Sequence, residues 1–101
     1  MVVVQVLFPQ PPQTPEQARA IAEQSAPKFR GKKGLQSKHY LRERETGLGG
    51  GMYVWDSREL AEAHYNAEWR ARMTATNGHE PQVRYFDVPL VVDNTRTPAK
   101  V

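Results

Sequence analysis

Residues 34–56 read GLQSKHYLRERETGLGGGMYVWD, from Gly34 to Asp56, and this stretch decides the fold. It has the form of two strands and a glycine-bearing connection. Strand side chains alternate between faces, so the first run, Leu35 to Glu45, places Lys38, Tyr40 and Arg42 on one side. Leu35, Ser37, His39 and Leu41 take the other side. In the second run, Met52 and Val54 point one way and Tyr53 and Trp55 the opposite way. Between the runs, residues 46–51 (TGLGGG) are expected to reverse the chain, because glycine reaches positive φ without a Cβ clash. A phosphate-cradling loop is rejected. Its glycines would have to open a helix and be followed by Gly-Lys-Ser or Gly-Lys-Thr, whereas these lead into a strand.

Working outward, the opening run MVVVQVLF is apolar on nearly both sides, as in a strand covered on two faces. It lacks a basic leader and stops at Pro9, short of a membrane span, so no membrane partner and a cytoplasmic location are expected. Pro9 to Gln13 is a loop. Thr14-Pro15-Glu16-Gln17 predicts a helix start, with Thr14 as N-cap and Gln17 closing a capping box. Ala18, Ile21, Ala22, Ser25 and Phe29 then recur at helical spacing, and Pro27 is expected to end or kink the last turn. Residues 30–34 (RGKKG) form a basic loop, read as solvated in preference to an anion site.

Beyond the hairpin, Asp56 or Ser57 is positioned to cap a second helix. Its inward stripe is expected to be Leu60, Ala63, His64, Ala67 and Ala71, with Tyr65, Trp69 and Met73 on a separate face against a partner or another segment. Asn77-Gly78 signals the helix end. Val83 to Val88 is a fourth strand that Leu90 to Val92 extends or leaves, and 93–101 is a polar tail. The domain is therefore expected to span 1–92.

The chain has 101 residues, no cysteine and a net charge of +3. The length suits one core, and the missing thiols exclude disulfides, thiolate zinc sites and a cysteine nucleophile. Cations are interspersed with acids over much of the sequence, which argues against nucleic acid as partner. The three histidines lack the short spacing of a metal site, so no metal is expected.

The order strand, helix, strand, strand, helix, strand predicts an α+β, ferredoxin-like βαββαβ fold: a four-stranded antiparallel sheet with two helices on one face. The other face, expected to carry Val3, Leu7, Tyr53 and Trp55, is too apolar for water and is expected to be covered by a second copy, giving a homodimer through the sheet faces.

Gly34-Leu35, Lys38, Tyr40 and the run Gly49-Gly50-Gly51-Met52-Tyr53-Val54-Trp55, followed by a capped helix and a closing strand at Val83 to Val88, resemble the YdhR-type monooxygenases of the dimeric α/β-barrel superfamily. Tyr40 stands where that family carries an aromatic, and Lys38 matches a lysine two residues before it. Departures are His39 in place of an apolar residue, the run Arg42-Glu43-Arg44, and the proline-rich loop. The resemblance implies a dimeric α/β barrel whose fold relatives oxidise phenol-, quinol- or anthrone-type substrates with dioxygen and no metal or flavin cofactor.

Such chemistry needs a base, donors for an oxyanion and a dry pocket. His64 or His39 is the candidate base. Lys38, Arg42 or Arg84 is the candidate oxyanion holder, and Tyr40, Tyr53, Trp55 and Tyr85 are candidate walls for a small aromatic substrate. Each also has a structural reading: His64 as a satisfied core histidine, Lys38 and Arg42 as cations that snorkel to the sheet edge or pair with Glu43 or Glu45 across the dimer, and Tyr53 and Trp55 as dimer packing. The fold also admits a non-catalytic ligand-binding dimer, or a polyketide-type cyclase or isomerase. Haem breakdown is disfavoured because strand one has no asparagine.

Overall fold

The computed structural model describes residues 1–95. Strands β1 (Val2–Pro9), β2 (Leu35–Arg42), β3 (Leu48–Trp55) and β4 (Gln82–Asp87) form one antiparallel sheet in the order β2-β3-β1-β4. Helix α1 (Pro15–Ser25) and a 3₁₀ turn (Ala26–Lys28) link β1 to β2, while α2 (Arg58–His64) and α3 (Ala67–Asn77) link β3 to β4. This is the ferredoxin-like arrangement that the element order predicts. The expected tail lies outside the described residues from 96 onward. Among the described residues, no helix is long and apolar enough to cross a membrane.

Local signals account for most element ends. The Thr14 amide donates to Gln17 Oε1 at 2.9 Å and the Gln17 amide to Thr14 Oγ1 at 3.1 Å, completing the capping box that starts α1. Gly78 ends α3 at φ 75°, its amide donating to the Thr74 carbonyl at 2.8 Å.

Val2, Val4, Val6 and Phe8 fill the helix-covered face, joined by Tyr53 and Trp55 from β3 and by Ala61, Tyr65 and Trp69 from the helices. The register sets Val2 opposite Trp55 and Val4 opposite Tyr53, which corrects the assignment of Tyr53 and Trp55 to the bare face. Cross-strand partners share a face. The bare face therefore carries Val3, Leu7, Met52 and Val54, with Phe86 from β4.

Three further expectations are corrected. The chain reverses at 43–47, where the Glu43 amide donates to the Leu48 carbonyl at 2.8 Å and the Gly47 amide to the Glu43 carbonyl at 3.1 Å. Gly49, Gly50 and Gly51 accordingly lie inside β3, paired to β1 on one side and β2 on the other. A β-bulge between Leu35 and Ser37 turns Leu35 onto the core face, opposite Trp55.

The second helix is two helices. Tyr65 leaves helical geometry at φ −91°, ψ 49°, and Asn66 caps α3 by accepting from the Trp69 amide at 2.9 Å. The inward residues become Ala61, Tyr65, Trp69 and Met73, while Ala63, Ala67 and Ala71 are exposed. Large rings outcompete alanine for the buried side because they remove more apolar area from water. Leu90, Val91 and Val92 do not extend β4 and are exposed.

Candidate functional site

Strand β2 presents Lys38, Tyr40 and Arg42 to the helix side, opposite Tyr53, Gly51 and Gly49. The two glycines matter because they leave room. A Cβ on Gly51 would meet the Tyr53 ring at 3.0 Å and Lys38 Cε at 3.2 Å, so the lysine stem occupies the space that a side chain on β3 would take.

Helix α1 has no buried residue, and Ile21 on it is 51% exposed. The helix stands off the sheet, tied to β2 by a hydrogen bond between the Ser25 and Tyr40 hydroxyls. Two clefts result. One of about 290 Å³ runs between α1 and β2, lined by Ala18, Ile21, Ala22, Tyr40 and Arg42. The other, of about 330 Å³, lies between the 3₁₀ turn and β2, lined by Phe29, Arg30, Ser37, Lys38 and Tyr40. The single secluded hollow beneath the helices is thus corrected to two open clefts divided by Tyr40. Under α2 and α3, aromatic side chains fill the space.

The Lys38 ammonium stands 3.7 Å from the Phe29 ring centroid, 4.1 Å from that of Tyr40 and 4.8 Å from that of Tyr53. Among the described residues it makes no ion pair within the chain. Burial, and then the positive charge of Lys28, lower its pKa to about 8. Ring faces stabilise the cation, but they cannot take its proton as a carboxylate could. The amine is therefore available as a base close to neutral pH.

His64 lies behind this cage, 6.1 Å from Phe29 and 6.4 Å from Tyr53 between ring centroids, with Trp55 at 5.3 Å and Tyr65 at 4.7 Å. Its Nε2 is buried without a hydrogen-bond partner. Burial, then the charges of Lys32, Lys38 and Arg72, lower its pKa to about 4. The ring is neutral at pH 7 and lines neither cleft, so it is a poorer base than Lys38.

That burial has a consequence for acid stability. Between pH 6.5 and about 4 the unfolded chain protonates His64 while the folded chain does not. Stability therefore falls as pH falls through that window, by roughly 2 kcal/mol after solvent screening. Urea unfolding of His64→Leu at pH 7 and pH 4.5 is expected to show a smaller loss than the parent protein. An equal loss would refute this assignment.

The other expected site residues scatter. His39, opposite Met52, and Arg84, opposite Gln5, are exposed on the bare face, away from Lys38, because the alternation of β2 and β4 sends them there. Trp55 is 1% exposed and donates from Nε1 to the Tyr65 hydroxyl at 3.1 Å, as a core residue. Tyr53 is buried, its phenol pKa raised by burial, and it meets the site only through its ring. Tyr85 shares the helix-side face but lies three strands from Lys38, about 14 Å along the sheet, where Arg58 covers its ring. His79 is exposed in the loop after α3. Phe29, Ser25 and Arg30 belong to the site although no chemistry was read from them. The basic composition of residues 28–33 was the available signal.

Fold and site together define an α+β, ferredoxin-like domain with an open cleft beside a ring-caged lysine. The family model described as Putative mono-oxygenase ydhR matches residues 3–96, and the chain belongs to that family. No curated protein matches the chain.

Proposed function

We propose that the cleft beside β2 oxidises a phenol, quinol or anthrone-like substrate with dioxygen, without metal or flavin, using Lys38 as base. The observation that carries this reading is the Lys38 amine, lining a cleft, enclosed by Phe29, Tyr40 and Tyr53, and lowered to about 8. Membership in a monooxygenase family supports the reaction type.

The neutral amine takes a proton from the acidic O–H or C–H of the substrate. The resulting ammonium stays beside the enolate oxygen as its counter-charge. The enolate passes one electron to dioxygen, and the radical pair combines to form a C–O bond. Loss of the remaining proton on that carbon breaks the O–O bond and leaves a carbonyl. For an anthrone-type methylene the sum is CH₂ + O₂ → C=O + H₂O, so the substrate supplies all the electrons. A volume of about 330 Å³ admits a small aromatic ligand.

Oxygen-electrode measurements on protein freed of metal and flavin test the reading, with ¹⁸O₂ to follow the label. The expected result is uptake with an anthrone or quinol, one labelled atom in the product, and kcat/KM rising as pH climbs through about 8, where Lys38 loses its proton. Substrate conversion without uptake would instead support a cyclase or isomerase, and binding with neither would support a binding module.

The reading includes a homodimer through the sheet faces. Its support is the apolar bare face of Val3, Leu7, Met52 and Val54, with Phe86 46% exposed, together with the exposed Leu90 and Val92. Sedimentation at twice the 11.5 kDa chain mass is expected, and sedimentation as a monomer would remove this part of the proposal. A cytoplasmic setting is also part of it, supported by the apolar opening run being core strand β1.

A further inference from the structure

Between Glu23 and Glu43 the chain carries Lys28, Arg30, Lys32, Lys33, Lys38 and Arg42 and no acidic residue. This acid-free run supplies every residue that lines the cleft beside the 3₁₀ turn. Among the described residues, ion pairs join Arg19 to Glu23, Arg58 to Glu62, Arg70 to Glu80 and Arg72 to Glu68, and none involves these six cations. Asp56, a nearby carboxylate, accepts from Gln36 Nε2 at 2.8 Å. The charges that act on the two titratable groups of the site are all positive: Lys28 on Lys38, and Lys32, Lys38 and Arg72 on His64.

The basic segment is also held in shape. The Arg30 amide donates to the Ala26 carbonyl at 3.2 Å, Lys32 to Phe29 at 3.2 Å and Leu35 to Lys32 at 3.1 Å. Gly31 and Gly34, at φ 72° and 84°, fold the segment over the end of β2. Arg30 thus lines the same cleft as Lys38, and the rings of Phe29 and Tyr40 line it with them.

From this arrangement we propose that the ligand of the cleft is an aromatic carboxylate, its ring against Phe29 and Tyr40 and its carboxylate drawn to Arg30 and the basic turn. Apolar walls select the ring, and an unpaired cluster of cations at the rim selects the charge. A guanidinium at the rim suits a carboxylate because it donates two parallel hydrogen bonds. A flat nucleic-acid surface is a poorer fit, since two of these cations, Arg30 and Lys38, line a cleft of about 330 Å³. The inference rests on the same cleft as the oxygenase reading and names its substrate class.

Calorimetric titration with 2-naphthoate and with its uncharged amide tests it. The acid is expected to bind about tenfold tighter at low salt, as one charge-assisted contact allows. Arg30→Gln, at an exposed position, is expected to remove that advantage, so that acid and amide bind alike. Equal binding of acid and amide would overturn the proposal. So would competition by inorganic phosphate as strong as that by naphthoate, or tight binding of an oligonucleotide alone. Acid preference without oxygen uptake would keep this inference and sink the oxygenase. Lys38-dependent oxidation of a neutral quinol without acid preference would do the reverse.

Discussion

Lys38→Met is expected to lower oxygen uptake at least a hundredfold while leaving the folded protein as stable as its parent or more so. Methionine keeps an apolar stem for contact with Phe29, Tyr40 and Tyr53 and removes the titrating amine. The stability side follows from the sign of the shift. The folded-state pKa of about 8 lies below the ordinary lysine value of 10.5, so between these pH values the unfolded chain holds the extra proton and stability rises with pH. At pH 7 the buried ammonium is a cost, which the variant removes. Lys38→Arg keeps a cation that cannot serve as base, and it is expected not to restore activity. Full activity in Lys38→Met would show that the amine takes no proton. Lost activity with a lowered Tm would point to a structural role instead.

Gly50→Ala is expected to abolish folding or to lower Tm by more than about 12 °C, a loss of about 3 kcal/mol or more. Gly50 has φ 147°, a conformation that residues with a Cβ rarely adopt, and a methyl there would drive into the Val6 carbonyl oxygen. Relief would require β3 to part from β1, the longest pairing in the sheet. Gly49→Ala is the control, because a methyl at that position meets the movable side chain of Gln10. It is expected to be the milder of the two substitutions by thermal unfolding. Equal Tm for the two variants would contradict this account of β3.

Where physical cause was local, the sequence was a good guide. The Thr14 capping box, Pro27 at the end of α1 and Gly78 at the end of α3 each depend on residues within a turn of one another. The element order then leads to the sheet topology through connection rules. Errors arose where a pattern was carried across an interruption. The stripe Leu60, Ala63, His64, Ala67, Ala71 assumes an unbroken helix, and the break at Tyr65, after which Asn66 caps α3, rotates its second half. The bulge after Leu35 reverses that residue's face without a sequence mark. Glycines 49–51 have the φ freedom that suits a turn, whereas their place inside β3 turns on the space they leave for neighbouring side chains and backbone.

The site was legible in part. Alternation along β2 put Lys38, Tyr40 and Arg42 on one face, and Lys38 and Tyr40 do line one cleft. What singles out Lys38 in the proposed mechanism is Phe29, placed beside its amine by the packing of the 3₁₀ turn, a tertiary fact that no spacing encodes. His64 was chosen for its ordinary pKa near neutrality, and the packing that buries it removes that advantage.

The claim on which the mechanism depends is that the Lys38 amine gives up its proton close to neutral pH. Carbon-13 NMR of the lysine Cε signals, recorded from pH 6 to 11 in ¹³C-lysine-labelled protein, measures it directly. One signal, absent from Lys38→Met, is expected to titrate with a midpoint near 8. A Lys38 signal titrating above 10 with the remaining lysines would contradict the account.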